Sequence, residues 1–292
     1  MELSRIDLHM HSTVSDGTDT PSMLLEKVCQ AGLLIFSLTD HDAISGNKEI
    51  LSALKEGDPK FITGVEFSCR DENGKYHILG YGFDPDHEAI NEVVNNGHEL
   101  RLTMMHERVD ILKNEYSIPI TDEDIQELFS LSNPGKPHLA ELLVKKGYAE
   151  TKKDAFQNYL NKIPDRNRYL RPETAIEAIN KSGGKAVLAH PFYGTTTEWI
   201  SSEELENRVV RLKEMGLSGL EAFHSDLNAE NTQEVLSLAD KYDLFITAGS
   251  DYHGDNKAVK LGQISKEETP FTEAFAKGVS DDLPRRFGRG IL

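Results

Sequence analysis

Cysteine is scarce: the chain carries two thiols, Cys29 and Cys69, in 292 residues. Two isolated cysteines cannot form the dense disulfide framework of a small secreted scaffold, and a reducing cytosol is the default setting for such a chain. No stretch reaches the roughly 18 apolar residues that a membrane-spanning helix needs, and no signal-like apolar run follows Met1. The expected compartment is the cytoplasm, with no membrane partner. Positive charge is also in short supply. The 32 Lys+Arg against 49 Asp+Glu leave a formal net charge of −17. Non-specific affinity for duplex nucleic acid comes from neutralising phosphates, so this balance argues against a duplex partner. It leaves small phosphate esters open, because bound cations can dominate the field of a local site. What remains is an ordinary globular composition, 38% hydrophobic and 28% charged. The length suits one large core or a barrel with an insertion, and the oligomeric state stays open.

Strand-like runs alternate with helix-like stretches along most of the chain. The pattern predicts strands over residues 4–10, 34–39, 61–68, 76–83, 185–189, 219–223 and 244–249. Helices are predicted over 22–31, opened by Pro21 and stopped at Gly32, and over 47–55, 203–215 and 232–242. Another starts at Arg171-Pro172-Glu173, and Gly183-Gly184 and Gly216 fall where helices should end. A last helix is expected over 271–279, followed by a tail over 282–292. The short link Asp71-Glu72-Asn73-Gly74 marks a hairpin, not a crossover. From about Asp86 to Asn167 there is no convincing strand, only helical patterns such as 89–112 and 122–129. That is too long for a structureless loop, so a helical insertion is expected there. The predicted organisation is a barrel domain from residues 1–85 and 168–292, interrupted by an insertion over 86–167 that would cap the substrate.

Seven of the eleven histidines sit where one of the apolar runs ends: His9, His11, His41, His77, His190, His224 and His253. Residues i and i+2 of a strand share a face, so His9 and His11 point the same way, with Asp7 one step deeper and suited to orienting a ligand. Asp251 and His253 repeat that spacing. A lone His-x-His pair often does no more than share a solvent face. Here, however, seven histidines together with Asp16, Glu66 and Asp251 crowd one set of strand ends, and inward polar groups must be paired or must coordinate metal. Asp40 and Asp42 flank His41, as a ligand or as loop-capping groups. Ser15-Asp16-Gly17 reads either as a ligand loop or as a plain Asp-Gly turn. His87, His98 and His106 lie outside strand ends and read as solvated. An open α/β sheet would draw its site from few strands, whereas ligand candidates here end all seven. Only a closed ring brings them together easily, so an α/β barrel is expected.

These residues resemble the PHP (polymerase and histidinol phosphatase) family. Its motif regions match Asp7-Leu8-His9-Met10-His11-Ser12, Thr39-Asp40-His41-Asp42, Ala189-His190-Pro191 and Gly249-Ser250-Asp251-Tyr252-His253-Gly254. Gly64-Val65-Glu66 and the run from His77 to Gly82 match too. The branch it looks most like is similar to 3′,5′-nucleoside bisphosphate phosphatases and to exoribonucleases acting on short 5′-phosphorylated RNA.

The resemblance implies a distorted (β/α)7 TIM-like barrel with a helical insertion and two to three divalent metal ions. By that analogy His9, His11, Glu66 and Asp251 hold the first. Glu66 bridges to a second held by His77 and His190, and Asp16, His41 and His253 hold a third. Mixed imidazole and carboxylate ligation suits Mn²⁺, Fe²⁺ or Zn²⁺. Three dications against three carboxylates leave about three net positive charges for a phosphate. The implied reaction is hydrolysis of phosphate monoesters of small nucleotides by a hydroxide held at the metals. Asp7 and Asp40 would support the catalytic groups. His224 would protonate the leaving group or bind phosphate, or it is an ordinary strand-end histidine. Gly135-Lys136-Pro137-His138-Leu139-Ala140 is similar to a lid segment of this branch, with Lys136 in place of the usual arginine, a point charge in place of a bidentate fork. Lys136, His138 and Arg168 are the expected substrate contacts beside His224. Asp226 stands near a position often histidine in relatives. Alternatives are a sugar or histidinol phosphatase using the same site, or a metal-binding module without activity, against which intact Asp16, Glu66 and His253 count. Amidohydrolase chemistry would want a carboxylated barrel lysine, and Lys185, at the start of its strand, is poorly placed for that.

Overall fold

The structure is a computed structural model that describes residues 5–164, 168–194 and 199–266. The expected helix over 271–279 and the tail over 282–292 lie outside the described residues, as does Ser4 at the start of the first expected strand. Among the described residues one seven-stranded sheet runs in chain order. Its strands are β1 (Ile6–Asp7), β2 (Ile35–Leu38), β3 (Lys60–Asp71), β4 (Gly74–Tyr81), β5 (Lys185–Leu188), β6 (Gly219–His224) and β7 (Phe245–Gly249).

The sheet closes on itself. Beyond the end of β7, Asp251 N–H donates to the His9 carbonyl at 2.8 Å and His11 N–H to Tyr252 at 2.8 Å, while Leu8 N–H donates to Ala248 in β7 at 2.9 Å. The expected α/β barrel therefore forms, with one distortion. β4 runs antiparallel to both β3 and β5, because Asp71–Gly74 turns the chain straight back as the hairpin predicted from Asn73-Gly74. All other neighbours are parallel. Strands β2 and β6 are buried at every position, as strands covered on both faces must be.

Helices α1 (Pro21–Gln30), α2 (Ser45–Ala53), α8 (Ser202–Glu214) and α9 (Ala229–Lys241) connect the parallel strands, and α7 (Pro172–Lys181) leads into β5. Thr20 caps α1 just before its Pro, and a reciprocal Ser201/Glu204 capping box starts α8. Asn228 caps α9 and starts it three residues before the sequence pattern alone suggests. Gly183 and Gly216 take positive φ just past α7 and α8, the left-handed turn that ends a helix.

Between β4 and α7 the chain forms α3 (Glu88–Asn114), α4 (Asp122–Phe129), α5 (Lys136–Lys145) and α6 (Lys152–Ala155), followed by a π-helical turn, Phe156–Leu160. These helices share an apolar cluster that includes Met105, Leu112, Leu139, Leu143 and Leu160. It is separate from the barrel cluster around Phe67, Leu79, Leu188 and Phe223. No helix among the described residues is long and apolar enough to cross a membrane.

Candidate metal centre

The strands and the loops that follow them deliver their polar side chains to one bowl; Glu66 and His77 come from within β3 and β4, not from their ends as the sequence pattern suggests. His9 and His11 follow β1, Asp16 lies in the next loop, and His41 follows β2. Glu66 and His77 come from the antiparallel pair, and His190 follows β5. His224 ends β6, and Asp251 and His253 follow β7. Alternation along β1 sends His9 and His11 inward together, and both are fully buried.

Glu66 is the hub. Its Oε2 lies 3.3 Å from His9 Nε2, 3.2 Å from His11 Nε2 and 3.1 Å from His41 Nδ1. Its Oε1 lies 2.8 Å from His77 Nδ1 and 3.0 Å from His190 Nε2. Asp251 Oδ1 faces the same His9 and His11 nitrogens at 3.5 and 3.3 Å. On the other side, Asp16 lies 3.4 Å from His253 Nε2, 3.7 Å from His11 Nδ1 and 3.9 Å from His41 Nε2. Among the described residues three groups of converging donor atoms form around Glu66 and Asp16, His9–His11–Glu66–Asp251, His41–Glu66–His77 and His11–Asp16–His41–His253, and a fourth joins His9 to Glu221 and His224.

The donor atoms fit metal ions. His9 Nε2, His11 Nε2, His41 Nδ1 and His190 Nδ1 are buried without a hydrogen-bond partner, an arrangement that costs free energy unless something else accepts their lone pairs. Tetrahedral ligands about 2.1 Å from a central cation stand roughly 3.4 Å apart. The four contacts that His9 and His11 make with Glu66 and Asp251 span 3.2 to 3.5 Å. His190 is held at φ +26°, a backbone conformation that a non-glycine residue adopts only when its surroundings demand it.

The bowl shifts its groups in opposite directions. Burial alone would keep His11 neutral, yet the facing Asp251 and Glu66 carboxylates, with Asp16 nearby, push it up to about 9. Burial lowers His190 to about 4, against the pull of Glu66. Burial works to raise Asp16, Glu66 and Asp251, but the surrounding imidazoles, with Lys257 beside Asp251, hold all three well below the usual carboxylate range. His9 is raised as well, whereas burial lowers His41 and His253, so the carboxylates favour a proton on some rings of the bowl and not on others.

The supporting hydrogen bonds decide which nitrogen each ring offers. Glu221 Oε1 lies 2.8 Å from His9 Nδ1, which leaves Nε2 with its lone pair toward the bowl. Its Oε2 accepts the His190 N–H at 2.7 Å. The Asp251 carbonyl lies 2.8 Å from His253 Nδ1 and likewise frees Nε2. His224 is the opposite case. Its Nδ1 accepts the Asp226 N–H at 3.1 Å, so Nε2 carries the proton; it faces Asp251 Oδ2 at 3.7 Å, beyond hydrogen-bond reach, and is buried without a partner. Asp7 holds backbone instead of a ring: it accepts from Ser250 N–H at 2.9 Å, Ser250 Oγ at 2.6 Å, Gly262 N–H at 2.8 Å and His9 N–H at 3.2 Å. Asp40 does the same for the loop leading to Asp16, accepting from Ser12 N–H at 2.8 Å, Ser12 Oγ at 2.7 Å and Ser15 Oγ at 2.7 Å.

A cavity of about 370 Å³ opens above Glu66, His77 and His190. Its wall includes Lys75, Phe156, Tyr193 and Lys257, none of which sequence reasoning singled out. Lys75 stands two residues before His77 on the same strand, and that shared face was the available signal. Lys257 reaches the Asp251 carboxylate from the loop after β7, and nothing local in the sequence announces that. Glu221, also missed, sits in an apolar strand three residues before His224, where a carboxylate needs a partner. Lys136, His138 and Arg168 are not among the residues that line it. His138 Nδ1 accepts the Gly135 N–H at 3.0 Å at the start of α5, and Arg168 pairs with Glu107 of α3 at 2.6 Å.

The PHP domain family matches residues 7–175, and this chain belongs to the PHP family. It is 31% identical over 265 residues to a 5′-3′ exoribonuclease of Haemophilus influenzae, covering 89% of this chain and 93% of that one. It is 32% identical to a phosphoribosyl 1,2-cyclic phosphate 1,2-diphosphodiesterase of Eggerthella lenta, over 88% of this chain and 95% of the relative. A 3′,5′-nucleoside bisphosphate phosphatase of Chromobacterium violaceum is 26% identical, over 86% and 88% of the two chains. Among solved structures, a metal-dependent phosphoesterase of Bifidobacterium adolescentis superposes with a TM-score of 0.76 at 30% identity, over 89% of this chain and 91% of its own.

Proposed function

We propose that this protein is a metal-dependent phosphoesterase that hydrolyses phosphate monoesters of small nucleotides, namely 3′,5′-nucleoside bisphosphates and short 5′-phosphorylated oligonucleotides. The observation that carries this reading is Glu66, ringed by imidazole nitrogens at 2.8 to 3.3 Å, three of which are buried with no hydrogen-bond partner. Two to three divalent ions, Mn²⁺, Fe²⁺ or Zn²⁺, would be held by His9, His11, Glu66 and Asp251, by Glu66, His77 and His190, and by Asp16, His41 and His253. Such ions supply Lewis acidity and an activated water at phosphorus.

The chain's own groups do the rest. His224 Nε2–H sits at the edge of the bowl as a fixed donor for a phosphoryl or leaving oxygen. Lys257 and Lys75 add positive charge at the mouth, and Phe156 offers a flat face on which a base can stack. In this reading the insertion over residues 86–167 caps the barrel built from 1–85 and 168–292, and Lys136 and His138 of the cap and Arg168 beside it would contact the substrate. The relatives support the nucleotide class by their names, and the net charge of −17 disfavours a duplex.

Phosphate release from adenosine 3′,5′-bisphosphate and from a 5′-phosphorylated trinucleotide with Mn²⁺ tests this, beside histidinol phosphate and a ribose 1,2-cyclic phosphate. Turnover of the first two at least tenfold above the others supports it. Absence of turnover on both nucleotides rejects it.

A further inference from the structure

The three ligand groups are not held in place by the same part of the molecule. Glu221 of β6, the residue that orients His9 and receives the His190 N–H, belongs to the barrel. The loops that carry Asp16 and His41 are instead gripped by the insertion. Asn133, between α4 and α5, donates its side-chain amide to the His41 carbonyl, and His98 of α3 lies 3.1 Å from the Asn133 side chain. Next to His41, the Asp42 carboxylate is buried and pairs with Arg101 of α3 at 2.6 Å, while its other oxygen accepts the Ser68 N–H at 3.0 Å. Asp42 is held at φ +49°, so its own backbone preference does not place it there. On the far side, Lys152 of α6 donates to Asn256 Oδ1 at 2.7 Å, and the Asn256 amide donates to the Asp16 carbonyl at 2.7 Å. Asp40 fixes the start of that loop from the barrel side, through Ser12 and Ser15.

We propose that the helical insertion is the positioning element of one metal subsite, the His11–Asp16–His41–His253 group, so that docking of the insertion and cation affinity at that subsite are coupled. This rests on the metal reading above. Asn133, Arg101 and Lys152 touch no ligand side chain of that group; they act through the backbone of His41 and Asp16 and through Asp42. Supporting partners of this kind typically change metal affinity by roughly 10–100-fold when removed.

The test counts metal and needs no turnover. Wild type, Asn133→Ala, Lys152→Met, their double variant and His253→Ala are dialysed against a series of Mn²⁺ concentrations, and bound metal is measured by mass spectrometry. His253→Ala should lose one equivalent. The double variant should bind the equivalent that His253→Ala loses about tenfold or more weakly, with the other sites unchanged. Lys152→Arg should restore affinity. Lys145→Ala, whose exposed partner Glu127 lies within the insertion, should match wild type. Circular dichroism melts check that each variant is folded, and the single variants serve if the double one is not. Wild-type binding by both latch variants, while His253→Ala loses its equivalent, overturns the proposal and leaves the metal reading standing. Wild-type binding by His253→Ala overturns the metal assignment and this inference with it.

Discussion

Glu221 and His9, 212 positions apart, meet at 2.8 Å in the floor of the barrel, and this contact determines which face of the His9 ring is available to a cation. The other Glu221 oxygen accepts the His190 N–H at 2.7 Å. Glutamine offers one acceptor oxygen where glutamate offers two, so Glu221→Gln cannot satisfy both contacts. The expected result is a folded protein whose metal affinity is roughly 10–100-fold weaker and whose activity recovers at raised metal concentration. Mn²⁺ titration of activity and of bound metal reads this directly. An unchanged titration would show that Glu221 is only a packing residue.

Gly249 ends β7 where the barrel closes, and a Cβ there would lie 2.2 Å from the His9 Cβ and 2.8 Å from Glu221 Oε1. Two backbones that close cannot admit a methyl group without moving. Gly249→Ala should lower stability by about 1–3 kcal/mol, seen as a fall in Tm, and should also weaken metal binding because His9 is the residue displaced. A variant with wild-type Tm and metal content would contradict the closure of the sheet at this point.

Much of this was legible in the sequence, because period-2 alternation and apolar runs report strands, and a histidine or carboxylate with each run reports convergence. The ring closure followed from the number of strands that offered ligands. What stayed hidden depends on distance along the chain. Glu221 reads as an ordinary strand glutamate until the fold brings it to His9, and Lys257 until it reaches Asp251. His98 read as solvated, yet it meets Asn133 beside the His41 loop. Asp7 and Asp40 were legible as supporting carboxylates, but not that they would hold Ser250 and Ser12 backbone instead of imidazole rings. Helix α6, four residues long, is too short to show a period, and α5 opens with Gly135-Lys136-Pro137, which reads as a lid segment and not as a helix start.

His224 has its tautomer fixed by the Asp226 N–H, so it can donate through Nε2 without a change of protonation. His224→Ala should lower kcat by about a hundredfold while bound metal stays at the wild-type level. His224→Gln, which can keep a donor near that position, should recover part of the loss. Loss of metal in parallel with activity would instead make His224 a ligand.

Removing metal should expose the proton-holding character of the bowl. Glu66, Asp251 and Asp16 raise His11 from 6.5 to about 9 in the metal-free protein despite its burial, and His9 is raised as well. A raised folded value means that this contribution to stability is fully present below about pH 6.5 and is lost as pH rises toward 9. The depressed carboxyls of Asp16, Glu66 and Asp251 act in the opposite sense, contributing above about pH 4.5 and losing that contribution as pH falls. Chelator-treated protein should therefore be most stable between these limits, and metal-loaded protein should not lose stability from pH 6.5 to 9. A cation needs the nitrogen lone pair that the proton occupies, so metal uptake at pH 7 should release protons. The apparent affinity should rise by up to about tenfold per pH unit for each proton displaced, levelling off near pH 9. Titration calorimetry of Mn²⁺ into chelator-treated protein, run in two buffers of different ionisation enthalpy, measures the number released. A value of zero at pH 7 would mean that His9 and His11 are already neutral, and that the carboxylates of this centre do not control its charge.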